Sequence, residues 1–195
     1  MGKSSFILAS GSPRRRKLLA ATGFEFEVVV PAVSEISSLS LTLREATICN
    51  ATRKGAAVAR LHPNKVVLGA DTLVEIDGNV IGKPADLDDA FRILRQLSGR
   101  AHNVVTAVFI SCSVLQRSLS FHEVSQVFFH SLTDPAIRTY LAKVKPLDKA
   151  GAYAAQEFGS EVIASVQGSF TNVVGLPMEK TIQALARFGI VPRAS

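Results

Sequence analysis

Val66-Val67-Leu68-Gly69-Ala70 carries no polar side chain, and it follows the breaker His62-Pro63-Asn64 with only Lys65 between. A strand with one wet face alternates apolar and polar residues, so an unbroken short run reads as a strand covered on both faces. Such a strand needs helices on either side of its sheet. That requirement points to an α/β chain, and the flanking sequence agrees with it.

Phe6-Ile7-Leu8-Ala9 predicts a first strand, stopped at Ser10-Gly11-Ser12. Pro13 then opens a helix with Ser12 as its cap, and Gly23 marks its end. Phe26 to Val30 reads as a second strand ended by Pro31, before a polar stretch from Ser34 to Ser40. Thr42-Leu43-Arg44-Glu45 is a capping box for a helix to about Arg60. Asp77-Gly78 signals a hairpin whose return strand, Val80-Ile81, stops at Gly82-Lys83-Pro84. Asp86 caps a helix from Leu87 to Leu97, and two long strands between His102 and His130 meet near Gln116-Arg117. A helix from Asp134 to about Lys143, a loop from Gly151 to Gly159, a strand over Val162 to Val166 and a helix from about Met178 to Phe188 complete the chain. Strands and helices alternate at both ends around a hairpin-rich middle, which predicts an α/β fold with a mixed central sheet and flanking helices. At 195 residues this is a single domain, 1–195, or two closely joined lobes.

No stretch approaches the roughly 18 apolar residues of a membrane span. The four apolar residues before Ser10 are too few for a signal peptide, so the expected location is cytoplasmic. Cys49 and Cys112 show neither C-x-x-C nor zinc spacing and are expected to be buried free thiols. A net charge of +6 favours an anionic partner. With no Trp and only two Tyr, the basic runs lack the aromatics of a strand-stacking surface, so a compact anion site is expected rather than nucleic acid.

Arg14, Arg15, Arg16 and Lys17 crowd the predicted helix start, where cations are unfavourable by about 0.3–1 kcal/mol each. A strand, a Ser/Gly turn and a helix N-terminus present N–H donors that suit phosphate, and a bound anion would relieve the misplacement. The other reading turns Arg16 and Lys17 to water. Asp71, directly after the buried run, lies at the carboxyl end of a central strand, where ligands bind in open α/β sheets. A turn cap is the commoner role for such a residue taken singly. Glu35, Lys54 and Lys83 each read alone as solvated charges, with Lys83 stiffened by Pro84. His102 reads as structural. Gln156 offers one acceptor and two donors, which matches the imide edge of uracil or thymine; taken by itself it reads as a loop side chain bonded to water.

Together these residues resemble the Maf family of nucleoside triphosphate pyrophosphatases, also called septum formation inhibitors. The resemblance runs through "LASGSPRRRKLL", Glu35, "ATRKGA" around Lys54, "LGADTLV", "GKP", "LSGRAHNVVTAV", "DKAGAYAAQ" and "GSFTNVVGLP". It implies a Maf/ITPase-like fold of two lobes around a deep cleft, frequent homodimers, and divalent-metal-dependent hydrolysis of a triphosphate to monophosphate and pyrophosphate. By matching position, Asp71 is implied as the catalytic proton acceptor, with Glu35 and Lys83 acting beside it. Glu35 and Asp71 are implied to hold Mg²⁺ or Mn²⁺, while Ser10, Arg15 and Lys54 join the polar shell of the triphosphate.

Arg14, Thr72 and Gln156 match the family branch that prefers dTTP and UTP; the branch that prefers 7-methyl-GTP carries Trp, Gln and Glu there. Glu157 and Ala155 depart from the pyrimidine pattern, which usually has Gly and a larger aliphatic residue. The alternative is a non-catalytic basic protein that binds nucleotide or nucleic acid and acts in division or septum regulation.

Overall fold

The computed structural model describes residues 5–36 and 41–193. Residues 37–40 of the polar stretch from Ser34 to Ser40 lie outside the described residues. Seven strands make one sheet: β1 (Phe6–Ala9), β2 (Phe26–Val28), β3 (Val67–Ile76), β4 (Asn79–Ile81), β5 (Ala101–Cys112), β6 (Arg117–Phe129) and β7 (Ile163–Gln167). Their order is β2-β1-β3-β5-β6-β7, with β4 paired to β3 off that path. β1 runs parallel to β2 and β3, whereas β3–β4 and β6–β7 are antiparallel, so the sheet is mixed as expected. Six α-helices accompany it among the described residues: α1 (Pro13–Ala21), α2 (Leu43–Leu61), α3 (Leu87–Leu97), α4 (Asp134–Lys143), the one-turn α5 (Phe170–Val174) and α6 (Met178–Ala186).

Local signals account for most of these boundaries. In α2 the Thr42 hydroxyl accepts from the Glu45 N–H while the Glu45 carboxylate accepts from the Thr42 N–H, the reciprocal cap expected from the sequence. Asp77 and Gly78 both adopt left-handed backbone angles, which the tight β3–β4 turn requires. The Ser12 hydroxyl, in contrast, makes no capping bond to α1; the Ser12 N–H instead donates to Ser10 Oγ at 3.2 Å.

The largest difference from the sequence reading is β3. It does not stop at Ala70 but continues through Asp71-Thr72-Leu73-Val74-Glu75-Ile76, so Asp71 lies inside the strand and caps no turn. An unbroken apolar run identifies only the portion buried on both faces. Beyond it Thr72, Leu73 and Glu75 are only half-buried, and β4 pairs with Val74–Ile76, Val74 opposite Ile81.

The chain divides into two compact units, one comprising Met1–Asp71, Thr106–Glu123 and Gly175–Ser195, the other Thr72–Val105 and Val124–Val174. In the first, strand parity sorts two cores. Phe6, Leu8, Leu68 and Ala70 pack with Leu19 of α1 and Leu185 of α6, while Ile7, Ala9 and Val67 pack with Val58 and Ala59 of α2. The second unit closes around Ile76, Leu94, Val127, Ile137, Tyr140 and Tyr153.

Candidate active site

Asp71 shares strand parity with Val67 and Gly69, so it projects on the face that receives α2. The approach of that helix is unusually close. A Cβ on Gly69 would lie 2.5 Å from the Ala51 carbonyl oxygen and 2.6 Å from the Gly55 nitrogen, so only hydrogen fits between strand and helix. Asn50, Ala51, Lys54 and Gly55 fall at helical spacing on the same stripe of α2. The two glycines therefore bring Asn50 and Lys54 within reach of Asp71.

Lys54 Nζ donates to Asp71 Oδ1 and to Glu35 Oε1, each at 2.6 Å. Asn50 Nδ2 donates to the other Asp71 oxygen at 3.3 Å. The Asp71 side chain is only 5% exposed and Lys54 13%, while Glu35 retains 43%. A buried carboxylate with both oxygens engaged thus stands beside a second, wetter one, joined by one ammonium group. Removing one partner of such a buried pair typically costs about 3–5 kcal/mol.

Arg15 is the cation of the crowded helix start that turns inward. It is buried, its Nε donating to the Gly175 carbonyl at 2.9 Å and its Nη1 to Ser10 Oγ at 3.1 Å. Burial lowers the guanidinium to about 10, with Asp71 and Glu35 opposing and Arg14 adding to the shift; it remains cationic at neutral pH. Arg16 and Lys17 are exposed, and Arg14 is half-buried.

A divalent cation fits this donor set. Glu35 and Asp71 offer hard carboxylate oxygens that already converge on one positive charge. No group of three or more His, Cys, Asp or Glu gathers among the described residues.

In the second unit, Thr72 is half-buried next to Asp71 in sequence, and Lys83 and Gln156 are exposed. The Gly82 carbonyl beside Lys83 accepts from the Gly151 N–H at 3.1 Å, which ties the Gly-Lys-Pro turn to the start of the loop that carries Gln156. His102 is structural as expected: it is buried against Phe129 and Tyr153, with Nε2 2.9 Å from the Tyr153 hydroxyl. Cys112 is buried, but Cys49 is only half-buried, which corrects the expectation of two buried thiols; neither forms a disulfide.

The profile of the Maf-like protein family matches residues 5–188. This chain belongs to that family. Its relatives include a dTTP/UTP pyrophosphatase of Akkermansia muciniphila, 44% identical over 94% of this chain and 96% of the relative. Another, from Pelotomaculum thermopropionicum, is 43% identical over the same shares, and a third, from Bdellovibrio bacteriovorus, is 42% identical over 95% and 100%. The structure of the Staphylococcus aureus Ham1 protein superposes with a TM-score of 0.51 at 15% identity, covering 95% of this chain and 99% of that one, which shows a shared fold. The family resemblance and the mixed α/β fold read from the sequence are both borne out.

For this Maf-like chain the sequence reading missed Asn50 and the Gly55–Gly69 contact. Signals existed for each. Asn is a weak helix former with a side chain that competes for backbone bonds, and a glycine inside a helix or a strand often marks close backbone approach.

Proposed function

We propose that this Maf-like protein is a cytoplasmic nucleoside triphosphate pyrophosphatase that hydrolyses dTTP and UTP to the monophosphate and pyrophosphate. The names of its relatives support the reaction. One observation in the chain itself supports it most: a buried aspartate, Asp71, held at both oxygens beside Glu35, Lys54 and Arg15.

In this reading Asp71 orients a water molecule and takes its proton as the oxygen forms a bond to the α-phosphorus. The bond from that phosphorus to the bridging oxygen breaks, and pyrophosphate leaves with the electron pair. Negative charge grows on the departing group, so Arg15, Lys54 and Lys83 contribute most when they contact it in the transition state rather than before. Glu35 and Asp71 would hold Mg²⁺ or Mn²⁺, which supplies charge neutralisation on the phosphate oxygens. Ser10 and Arg14 extend the anion shell. Thr72 and Gln156 face the base, where a Gln amide can serve both the donor and the acceptor of a pyrimidine imide.

The test is pyrophosphate release from dTTP, UTP, GTP and 7-methyl-GTP by the wild-type protein and by Asp71→Asn, with Mg²⁺ or Mn²⁺ present. Wild-type turnover led by the pyrimidine nucleotides and near-abolished in the variant, with nucleotide still bound, is expected. Undiminished turnover by Asp71→Asn would refute the assignment.

A further inference from the structure

Asn50 stands in the interior of α2, 2% exposed, where an asparagine is intrinsically unfavourable relative to alanine. Its amide has one acceptor and two donor hydrogens, and all three are used. Oδ1 accepts from the Ile36 N–H at 2.7 Å, and Nδ2 donates to the Ile36 carbonyl at 3.2 Å and to Asp71 Oδ2 at 3.3 Å. Turning the amide over would set its NH₂ against the Ile36 N–H and its oxygen against a carbonyl and a carboxylate, so the network itself decides the orientation.

The two bonds to Ile36 grip one residue's backbone on both its donor and its acceptor, as a neighbouring strand would. Glu35 is the preceding residue. The third bond reaches the carboxylate oxygen of Asp71 that Lys54 does not take. These contacts close a circuit: Glu35, the Ile36 backbone, the Asn50 amide, Asp71, Lys54 and back to Glu35. Lys54 joins the two carboxylates through a long, flexible side chain, whereas Asn50 joins them through a short one anchored on a helix.

We propose that Asn50 is a positioning residue, which fixes the backbone beside Glu35 and the rotation of the Asp71 carboxylate so that the two acidic groups converge on one point. The inference rests on the pyrophosphatase reading above. Groups that orient ligating or reacting carboxylates typically contribute about 10–100-fold to metal affinity or activity.

The test compares wild-type protein with Asn50→Leu, which keeps the approximate volume and removes every bond, and with Asn50→Ala, which leaves room for a bridging water. Three quantities are read: amide hydrogen exchange at Ile36, Mn²⁺ binding without nucleotide, and the separate kcat and KM for dTTP at saturating metal. Faster Ile36 exchange, Mn²⁺ affinity and kcat each lower by about 10–100-fold, and KM nearly unchanged are expected for Asn50→Leu, with a smaller loss for Asn50→Ala. A purely structural role would lower thermal stability while leaving Mn²⁺ affinity and kcat intact in the folded population. Should Asn50→Leu not fold, Asn50→Ala carries the same comparison. Wild-type exchange, metal binding and kcat in the folded variant overturn the inference and leave the pyrophosphatase reading standing. A wild-type protein that releases no pyrophosphate from any of the four triphosphates overturns both.

Discussion

Replacing Gly69 by Ala adds one methyl group at the place where β3 and α2 touch. That methyl carbon would lie 2.5 Å from the Ala51 oxygen, 2.6 Å from the Gly55 nitrogen and 2.8 Å from the Gly55 Cα, whereas ordinary contact begins near 3.4 Å. Each obstructing atom is backbone, so rotating a side chain cannot relieve the clash. The helix and strand must separate by nearly 1 Å, at a cost of about 1–3 kcal/mol for overpacking. For a chain of this length each kcal/mol lowers the melting temperature by about 2–4 °C, so a fall of about 2–12 °C is expected by differential scanning fluorimetry.

The catalytic loss should be larger than the stability loss. α2 carries both Asn50 and Lys54, whose bonds to Asp71 measure 3.3 and 2.6 Å, and neither survives a displacement of that size without rearrangement. A misplacement of about 1 Å can reduce turnover by about 100-fold, measured as pyrophosphate release from dTTP well below the melting transition. Gly55→Ala is the control. Its methyl group meets the half-buried Phe109 ring at 2.6 Å, which can turn, and the helix gains up to about 1 kcal/mol of propensity, so both losses should be smaller. If Gly69→Ala melts and turns over as the wild type does, the close-packing argument is wrong. If it melts lower yet keeps full turnover, the link from packing to catalysis is wrong.

Arg15→Lys keeps the charge but cannot reach both Gly175 O and Ser10 Oγ with one ammonium group. Losing one charged hydrogen bond, at about 1.5–3 kcal/mol, should lower the melting temperature by about 3–12 °C and raise KM for dTTP; an unchanged melting curve would contradict the buried fork. His102 is held by burial at about 4, below its ordinary value of 6.5, and its Nδ1 is buried without a hydrogen-bond partner among the described residues. Above pH 6.5 the ring is neutral in both folded and unfolded chains. Between 6.5 and about 4 only the unfolded chain takes up the proton, so stability should fall with pH by about 3 kcal/mol and level off below 4. Urea midpoints at pH 7 and 4.5 should therefore differ less in His102→Gln than in the wild type, and equal differences would exclude His102 as the cause.

Features set by a few adjacent residues are legible in the sequence. The Thr42–Glu45 cap, the Asp77–Gly78 turn, Pro13 at a helix start and the hairpin near Gln116 all depend on local backbone angles and local hydrogen bonds. Ser12 does precede a helix, as its place before Pro13 indicates, yet its hydroxyl does not cap; Ser10 Oγ instead accepts from the Ser12 N–H and from Arg15 Nη1. Asp71 is recognisable as a carboxylate beside a buried strand. Its true position inside β3 is not, because beyond Ala70 the strand no longer reads as an unbroken apolar run, and its last residues, Val74–Ile76, are paired by β4.

Glu35, Lys54 and Lys83 read singly as surface charges, and only their match to a family pattern singles them out. Asn50 matches no pattern at all. What the chain determines by itself is the set of elements, the mixed α/β class and the family, since these follow from periodicity, caps, turns and ordered motifs. Which side chains meet is decided by the tertiary structure: Asp71 lies 17 residues from Lys54 and 21 from Asn50 along the chain, and the contact exists because two glycines let a helix rest directly on a strand. A close approach of that kind is set by the volumes of both partners at once, and neither segment states it alone.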